Sequence, residues 1–352
     1  MAKRESKKDE RKRRLLFLIL LFVLTLSVGG VATYAWFTSN TAVSVDPLDV
    51  QVKTANGLQI SADAINWSAL ITNQKLKEVR SGDSGTYPTA TNQLPSVFDN
   101  VSTIGTVASG KMTMFHGTVT GDKNDGGKLK LSAAQAAAEA DCDGTTAPCD
   151  TRYYDAFDIF LRVNDDTDVV LAPTSGVVKT DAADRGIQNT VRVGFVINGH
   201  WDATTAAATM QAGSTGTSVL IWEPNSDTHT ANGIQNAQEI YGITTTATAS
   251  PITYKGVKQA IAAPGLDLAL TGPTTTQTAF DTVTPLKIQT SSTNDQPIDL
   301  FVDGSNRLPR LQAGVTKIRV YWWVEGQDVD TENNATNSNM RLTLDFAIKG
   351  TV

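Results

Sequence analysis

Lys317-Ile318-Arg319-Val320-Tyr321-Trp322-Trp323-Val324 and Arg341-Leu342-Thr343-Leu344-Asp345-Phe346-Ala347-Ile348-Lys349 decide the fold. In the first, Ile318, Val320, Trp322 and Val324 alternate with Lys317, Arg319, Tyr321 and Trp323. In the second, Leu342, Leu344, Phe346 and Ile348 alternate with Arg341, Thr343, Asp345 and Lys349. A side-chain period of two is that of a β-strand with one face in a core and one in water. The same pattern recurs upstream. Phe157, Ile159, Leu161 and Val163 oppose Asp158, Arg162 and Asn164, and Val191, Val193, Phe195 and Ile197 oppose Arg192, Gly194 and Asn198 before an Asn198-Gly199 turn. Ser218–Trp222 is a continuous apolar run stopped by Glu223-Pro224-Asn225. Leu266, Leu268 and Leu270, then Ile298, Leu300 and Val302, repeat the alternation. Near the start, Val43 and Val45, then Leu48, Val50 and Val52 beyond Pro47, read as two strands kinked at the proline. Asn56-Gly57 marks a turn into Leu58–Ser61.

Half-buried strands without long helices between them imply antiparallel sheets rather than βαβ units. The expected fold is therefore mainly β: an antiparallel two-sheet sandwich of jelly-roll type, with loop and short-helix insertions. One insertion spans about residues 120–155. There Ser132 would cap a helix over Leu131–Ala140, the strongest helix-forming stretch, and Cys142 and Cys149 would close a small disulfide loop. Two thiols without a nearby His make a poor metal half-site, which favours the disulfide. Asp63–Thr72 reads as a helical turn or packed loop, Asn73–Ser109 as loops with short strands, and Tyr241–Pro251 as a linker or long loop.

The N-terminus has a different grammar. Met1–Arg14 holds eight Lys/Arg against three acids, Leu15–Leu26 is apolar apart from Thr25, and small residues follow to Ala35. A basic head, an apolar centre and a small-residue exit form a secretory signal, with cleavage between Ala35 and Trp36. The alternative is a retained anchor, because residues 15–35 are long enough to span a bilayer. In both cases residues 36–352, a single β-sandwich domain with insertions, lie outside the cytoplasm. That domain carries 22 Lys/Arg against 33 Asp/Glu, which excludes general attraction to nucleic acid. A signal peptidase is the partner during export, and self-association or other cell-surface components are the partners afterwards.

The exit sequence Gly29-Gly30 followed by Thr33-Tyr34-Ala35-Trp36-Phe37-Thr38-Ser39-Asn40 resembles the N-terminus of the TasA/camelysin family of exported Gram-positive proteins. Ile221–His229 and Val320–Asp330 are similar to phrases in exported proteins with the same N-terminus. The resemblance implies an extracellular β-sandwich that polymerises into matrix fibres, and it carries a peptidase label.

The residues themselves supply no catalytic constellation. His116, His200 and His229 are far apart, and none belongs to a His-Glu-x-x-His zinc motif. There is no Gly-x-Ser-x-Gly elbow and no phosphate loop. The expectation is a non-enzyme without a cofactor, calcium being the only ion with candidate ligands. Glu325, Asp328, Asp330 and Glu332, between the last two strands, offer the hard oxygens calcium takes, against the alternative of a solvated loop. Asp165-Asp166-Thr167-Asp168 is a shorter case, and Asp122–Gly127 reads as a hairpin turn rather than a calcium loop. Trp322 and Trp323 point to opposite faces, so one is core and the other belongs to packing or to a glycan-binding or assembly surface. Three readings result: a structural surface protein, a glycan-binding adhesin and, last, a secreted peptidase.

Overall fold

A computed structural model of the chain describes residues 43–45, 48–52, 57–80, 85–120, 129–144, 148–149, 152–241, 243–245, 247–267, 278–283, 287–290, 296–332, 335 and 338–352. All belong to one compact unit, Tyr34–Val352. The leader at residues 1–35, the Ala35–Trp36 junction and the Asp122–Gly127 turn lie outside the described residues. No helix among the described residues is long and apolar enough to cross a membrane.

Two sheets enclose the main core. The first is built on Asn339–Ile348, which pairs antiparallel with Val169–Leu171 and Gly176–Lys179 on one side. On its other side run Val43–Val45 and Asp49–Val52, both parallel to it. The second sheet is built on Gly314–Val324, between Tyr154–Val163 and Val191–Trp201. Leu220–Glu223 and Lys287–Gln289 extend it at one edge and Gln59–Ser61 at the other. Phe157, Ile159, Phe195, Ile318, Val320 and Trp322 meet Val50, Leu342, Leu344 and Phe346 between the sheets. Phe195 crosses edge-on to Phe346 at 6.3 Å, and Phe98 to Trp322 at 4.8 Å. The mainly-β, sandwich-like architecture read from the alternation is present.

Four expectations need correction. First, the sheets are mixed, because the two N-terminal strands and Lys287–Gln289 pair in parallel. Parallel neighbours need long crossovers, and nearly the whole chain separates the N-terminal strands from their partner.

Second, the central strand of the second sheet is not half-solvated: all eleven residues of Gly314–Val324 are buried. Its outer face packs Tyr321 and Trp323 with Met112, Met114, Tyr254 and the helix residues Ile234 and Ala237. Both Trp322 and Trp323 are therefore core, each in a different cluster.

Third, Leu131–Ala140 contains no helix. Lys130–Gln135 is a strand between Phe115–Thr120 and Ile261–Asp267, with Leu131 and Ala133 buried. Alanine's helix preference is worth only a few tenths of a kcal/mol per residue, less than two ladders plus burial. Fourth, the helices lie elsewhere, at Asn73–Glu78, Ala207–Gln211 and Ala231–Tyr241. The Cys142–Cys149 disulfide is formed.

Candidate functional site

Directly after Gly314–Val324 the chain makes a tight loop. The Asp328 amide donates to the Glu325 carbonyl (3.2 Å), the Thr331 amide to that of Asp328 (3.1 Å) and the Glu332 amide to that of Asp330 (2.9 Å). Thr331 Oγ1 also donates to the Glu325 carbonyl at 2.6 Å. This winding turns the side chains of Glu325, Asp328, Asp330 and Glu332 inward, and all four are buried. The solvated-loop alternative is thereby excluded, and each acid has its own environment.

Glu325 accepts from Trp323 Nε1 (3.2 Å) and from the Gln327 amide (3.1 Å). Burial pushes its pKa up to about 7, against the opposing pull of its hydrogen bonds and of Arg192. Asp328 receives Arg192 Nη2 at 2.5 Å. That guanidinium also lies 3.4 Å from Glu223 and donates to the Tyr254 hydroxyl at 3.2 Å. Arg192, on the face the alternation assigned to water, is therefore a buried counter-ion.

Asp330 accepts four donors. The Thr230 amide (2.8 Å) and hydroxyl (2.9 Å) reach Oδ1; His229 Nδ1 (2.8 Å) and Asn189 Nδ2 (3.4 Å) reach Oδ2. Thr230 caps the helix Ala231–Tyr241 by accepting from the Gly233 amide at 2.9 Å. A Cβ on Gly233 would stand 2.1 Å from Asp330 Oδ1, so only glycine permits this approach. The Thr230 hydroxyl also lies 3.4 Å from Glu332 Oε1.

His229 Nε2 donates to the Ser250 carbonyl at 3.0 Å, and its own amide donates to Thr248 at 2.8 Å. The segment expected as a linker is thus bound to the site. With acceptors at both ring nitrogens, His229 carries both protons. Burial opposes that charge, but the Asp330 hydrogen bond and the charges of Asp328 and Asp330 outweigh it, so its pKa is raised. Burial raises the Asp330 pKa, the His229 hydrogen bond opposes this and the Asp328 charge adds to it, leaving it above its ordinary value. With four donors Asp330 remains the anion of the pair.

Donor atoms of His229, Asp328 and Asp330 all fall within 4.8 Å of one another, the one such group of three found among the described residues. The other histidines stay apart: His116 stacks on Tyr153 and His200 meets Thr316 Oγ1 at 3.1 Å. Asp165–Asp168 forms no comparable cluster. Asp166 accepts from the Ala313 amide and Asp168 pairs with Arg310 at 2.8 Å, both at the surface.

A second buried network shares the same outer face. Asp158 binds Arg319 (2.9 Å), Lys317 (3.2 Å) and the Tyr87 hydroxyl (2.6 Å), and Arg319 continues to Glu139 (2.7 Å). An open cleft of about 290 Å³ lies where the sheets part, lined by Thr174, Ser175, Asn225, Thr290 and Arg341 above Trp222. Comparison with protein-family models, curated proteins and solved structures finds no match to the chain.

Proposed function

We infer that the chain is an exported cell-surface structural protein of the TasA/camelysin type, a jelly-roll-type sandwich that assembles by exchanging its N-terminal strand. The observation that carries the reading is the position of Val43–Val45. This short strand lies between Asn339–Met340 and Val97–Phe98, with Val43 buried. It follows directly on the apolar, β-prone stretch Trp36–Ala42 and precedes the proline at 47. A segment that closes a slot in its own sheet through so few residues closes the same slot in a neighbour equally well, which is the geometry of strand exchange. Within one chain the slot is self-filled; linking chains requires that the segment of a neighbour take the same place. The signal-like leader supports export, with membrane tethering through residues 15–35 until cleavage.

A chain starting at Trp36 is expected to form filaments by electron microscopy, and one starting at Asp46 to fold but remain monomeric. Two equally monomeric or equally filamentous preparations refute strand exchange.

The hydroxyl- and amide-rich cleft at Thr174, Asn225 and Arg341 supports a second reading, glycan recognition. Trp222 is buried beneath it and offers no stacking face, which ranks this reading second. A peptidase ranks last, because the His229 ring is enclosed and both its nitrogens are bonded within the protein.

A further inference from the structure

We propose that His229, Asp328 and Asp330 hold one divalent cation of the zinc or manganese class, as a structural ion that joins the 325–332 loop to the start of the helix Ala231–Tyr241. The inference is independent of the assembly reading. The three side chains are buried and their donor atoms lie within 4.8 Å. Donors around a small ion with bonds of about 2.1 Å stand roughly 3–4 Å apart, so His229 and Asp330, now 2.8 Å apart, must part slightly while the wider separations close.

The surroundings are those of a ligand set. A metal-binding imidazole characteristically donates its other N–H to a carbonyl or carboxylate, which orients the ring. His229 does this through Nε2 to Ser250, leaving Nδ1 turned toward Asp330. Asp330 has one oxygen fixed by the Thr230 amide and hydroxyl, and the other faces His229. Asp328 is steadied by Arg192 and by the Asp330 amide. Gly233 lets the helix backbone close against Asp330.

A second observation points the same way. Asn189, also buried, sets its amide nitrogen 3.4 Å from Asp330 Oδ2 while its Oδ1 has no hydrogen-bond partner. Half a turn of that amide would present the oxygen to the site and make it a fourth ligand. The turn would give up the amide's bond to Asp330 and exchange one unmet oxygen for unmet N–H donors, so the bond to the ion is what must favour it.

The donor set also selects the ion. Calcium prefers six to eight oxygens, whereas imidazole suits zinc and its neighbours, and the two carboxylates also suit manganese. On binding, the ion takes the place of the Nδ1 proton, which leaves to solvent, and the His229–Asp330 hydrogen bond becomes two bonds to the metal. No substrate reaches the position, so the ion's role is to pin the loop and helix, not to catalyse.

The test uses the full exported chain, stripped with EDTA, desalted and titrated with zinc, manganese and calcium chlorides by calorimetry, with native mass spectrometry for stoichiometry. One zinc or manganese per chain is expected, bound at least a hundredfold more tightly than calcium, with proton release. His229→Gln and Asp328→Asn should each weaken binding at least tenfold, and His200→Gln should leave it unchanged. X-ray absorption of the zinc-loaded wild type reads the site without relying on variants and should show one imidazole in a nitrogen/oxygen shell. No stoichiometric zinc or manganese, calcium bound equally well, or a shell lacking imidazole overturns the proposal.

Discussion

Replacing Glu325 by Gln isolates the cost of ionising a carboxyl sealed behind the central sheet. The folded state raises the Glu325 pKa from 4.5 to about 7, burial being the main cause. Between these values the folded protein keeps a proton the unfolded chain has released, so stability falls as pH rises. At 1.36 kcal/mol per pH unit the loss is about 3 kcal/mol. The effect is nearly absent at pH 4 and complete by pH 8. Gln matches the protonated acid in shape and leaves one oxygen for either the Trp323 ring nitrogen or the Gln327 amide, but it cannot ionise.

Urea unfolding of both proteins at fixed ionic strength, at unit steps from pH 4 to 8, measures the difference. Relative to its own value at pH 4, the variant should stand about 3 kcal/mol above wild type at pH 8. His229 contributes a slope of the same sign. Its pKa is raised, so its stabilisation is present below 6.5 and lost as pH rises through the folded value. Both proteins carry it, and it cancels in the comparison. Parallel stability curves would show that Glu325 ionises freely and that its burial does not control its charge.

Arg319→Met should destabilise by about 3 kcal/mol, the low end of the range for removing one partner of a buried ion pair, because Asp158 keeps Lys317 and Tyr87. Thermal unfolding checks it, and an unchanged midpoint refutes it. Cys142→Ser with Cys149→Ser should cost at most about 3 kcal/mol, since the bridge joins residues only seven positions apart. Finding two free thiols by mass spectrometry of the non-reduced protein removes that premise.

The alternation in Phe157–Val163, Val191–Ile197, Ile318–Val324 and Leu342–Ile348 identified the long strands, because one buried face imposes a period of two whatever covers the other. For Asn339–Ile348 the inner face agrees, since Leu342, Leu344 and Phe346 enter the core; on the outer face Arg341 is exposed, but Asp345 and Ala347 are buried. Gly314–Val324 differs because its charged face meets partners remote in sequence, Asp158 lying 161 positions from Arg319. A buried ion pair and a solvated charge look alike in one strand, and only the tertiary contact separates them. The same holds for the acidic loop. Glu325, Asp328, Asp330 and Glu332 stood out as oxygen ligands, but nothing local marks the approach of His229 or Arg192, 101 and 136 positions away from Asp330 and Asp328. No helix is expected from the sequence at Ala231–Tyr241, where Gly233 weakens the propensity. That glycine is required by Asp330, and Thr230 capping its amide was the signal available.

The parallel pairing of Val43–Val45 and Asp49–Val52 with Asn339–Ile348 sets the order in which the protein can mature. Ser44 meets Asn339 and Asp49 meets Thr343, so the first strands made wait through roughly 300 residues of synthesis for their partner. Val169–Leu171 and Gly176–Lys179 wait for the same strand. Until it arrives, the first sheet has no centre and the core no second wall. The chain therefore stays open until one late segment is made, and the arrival of that segment closes the whole sandwich.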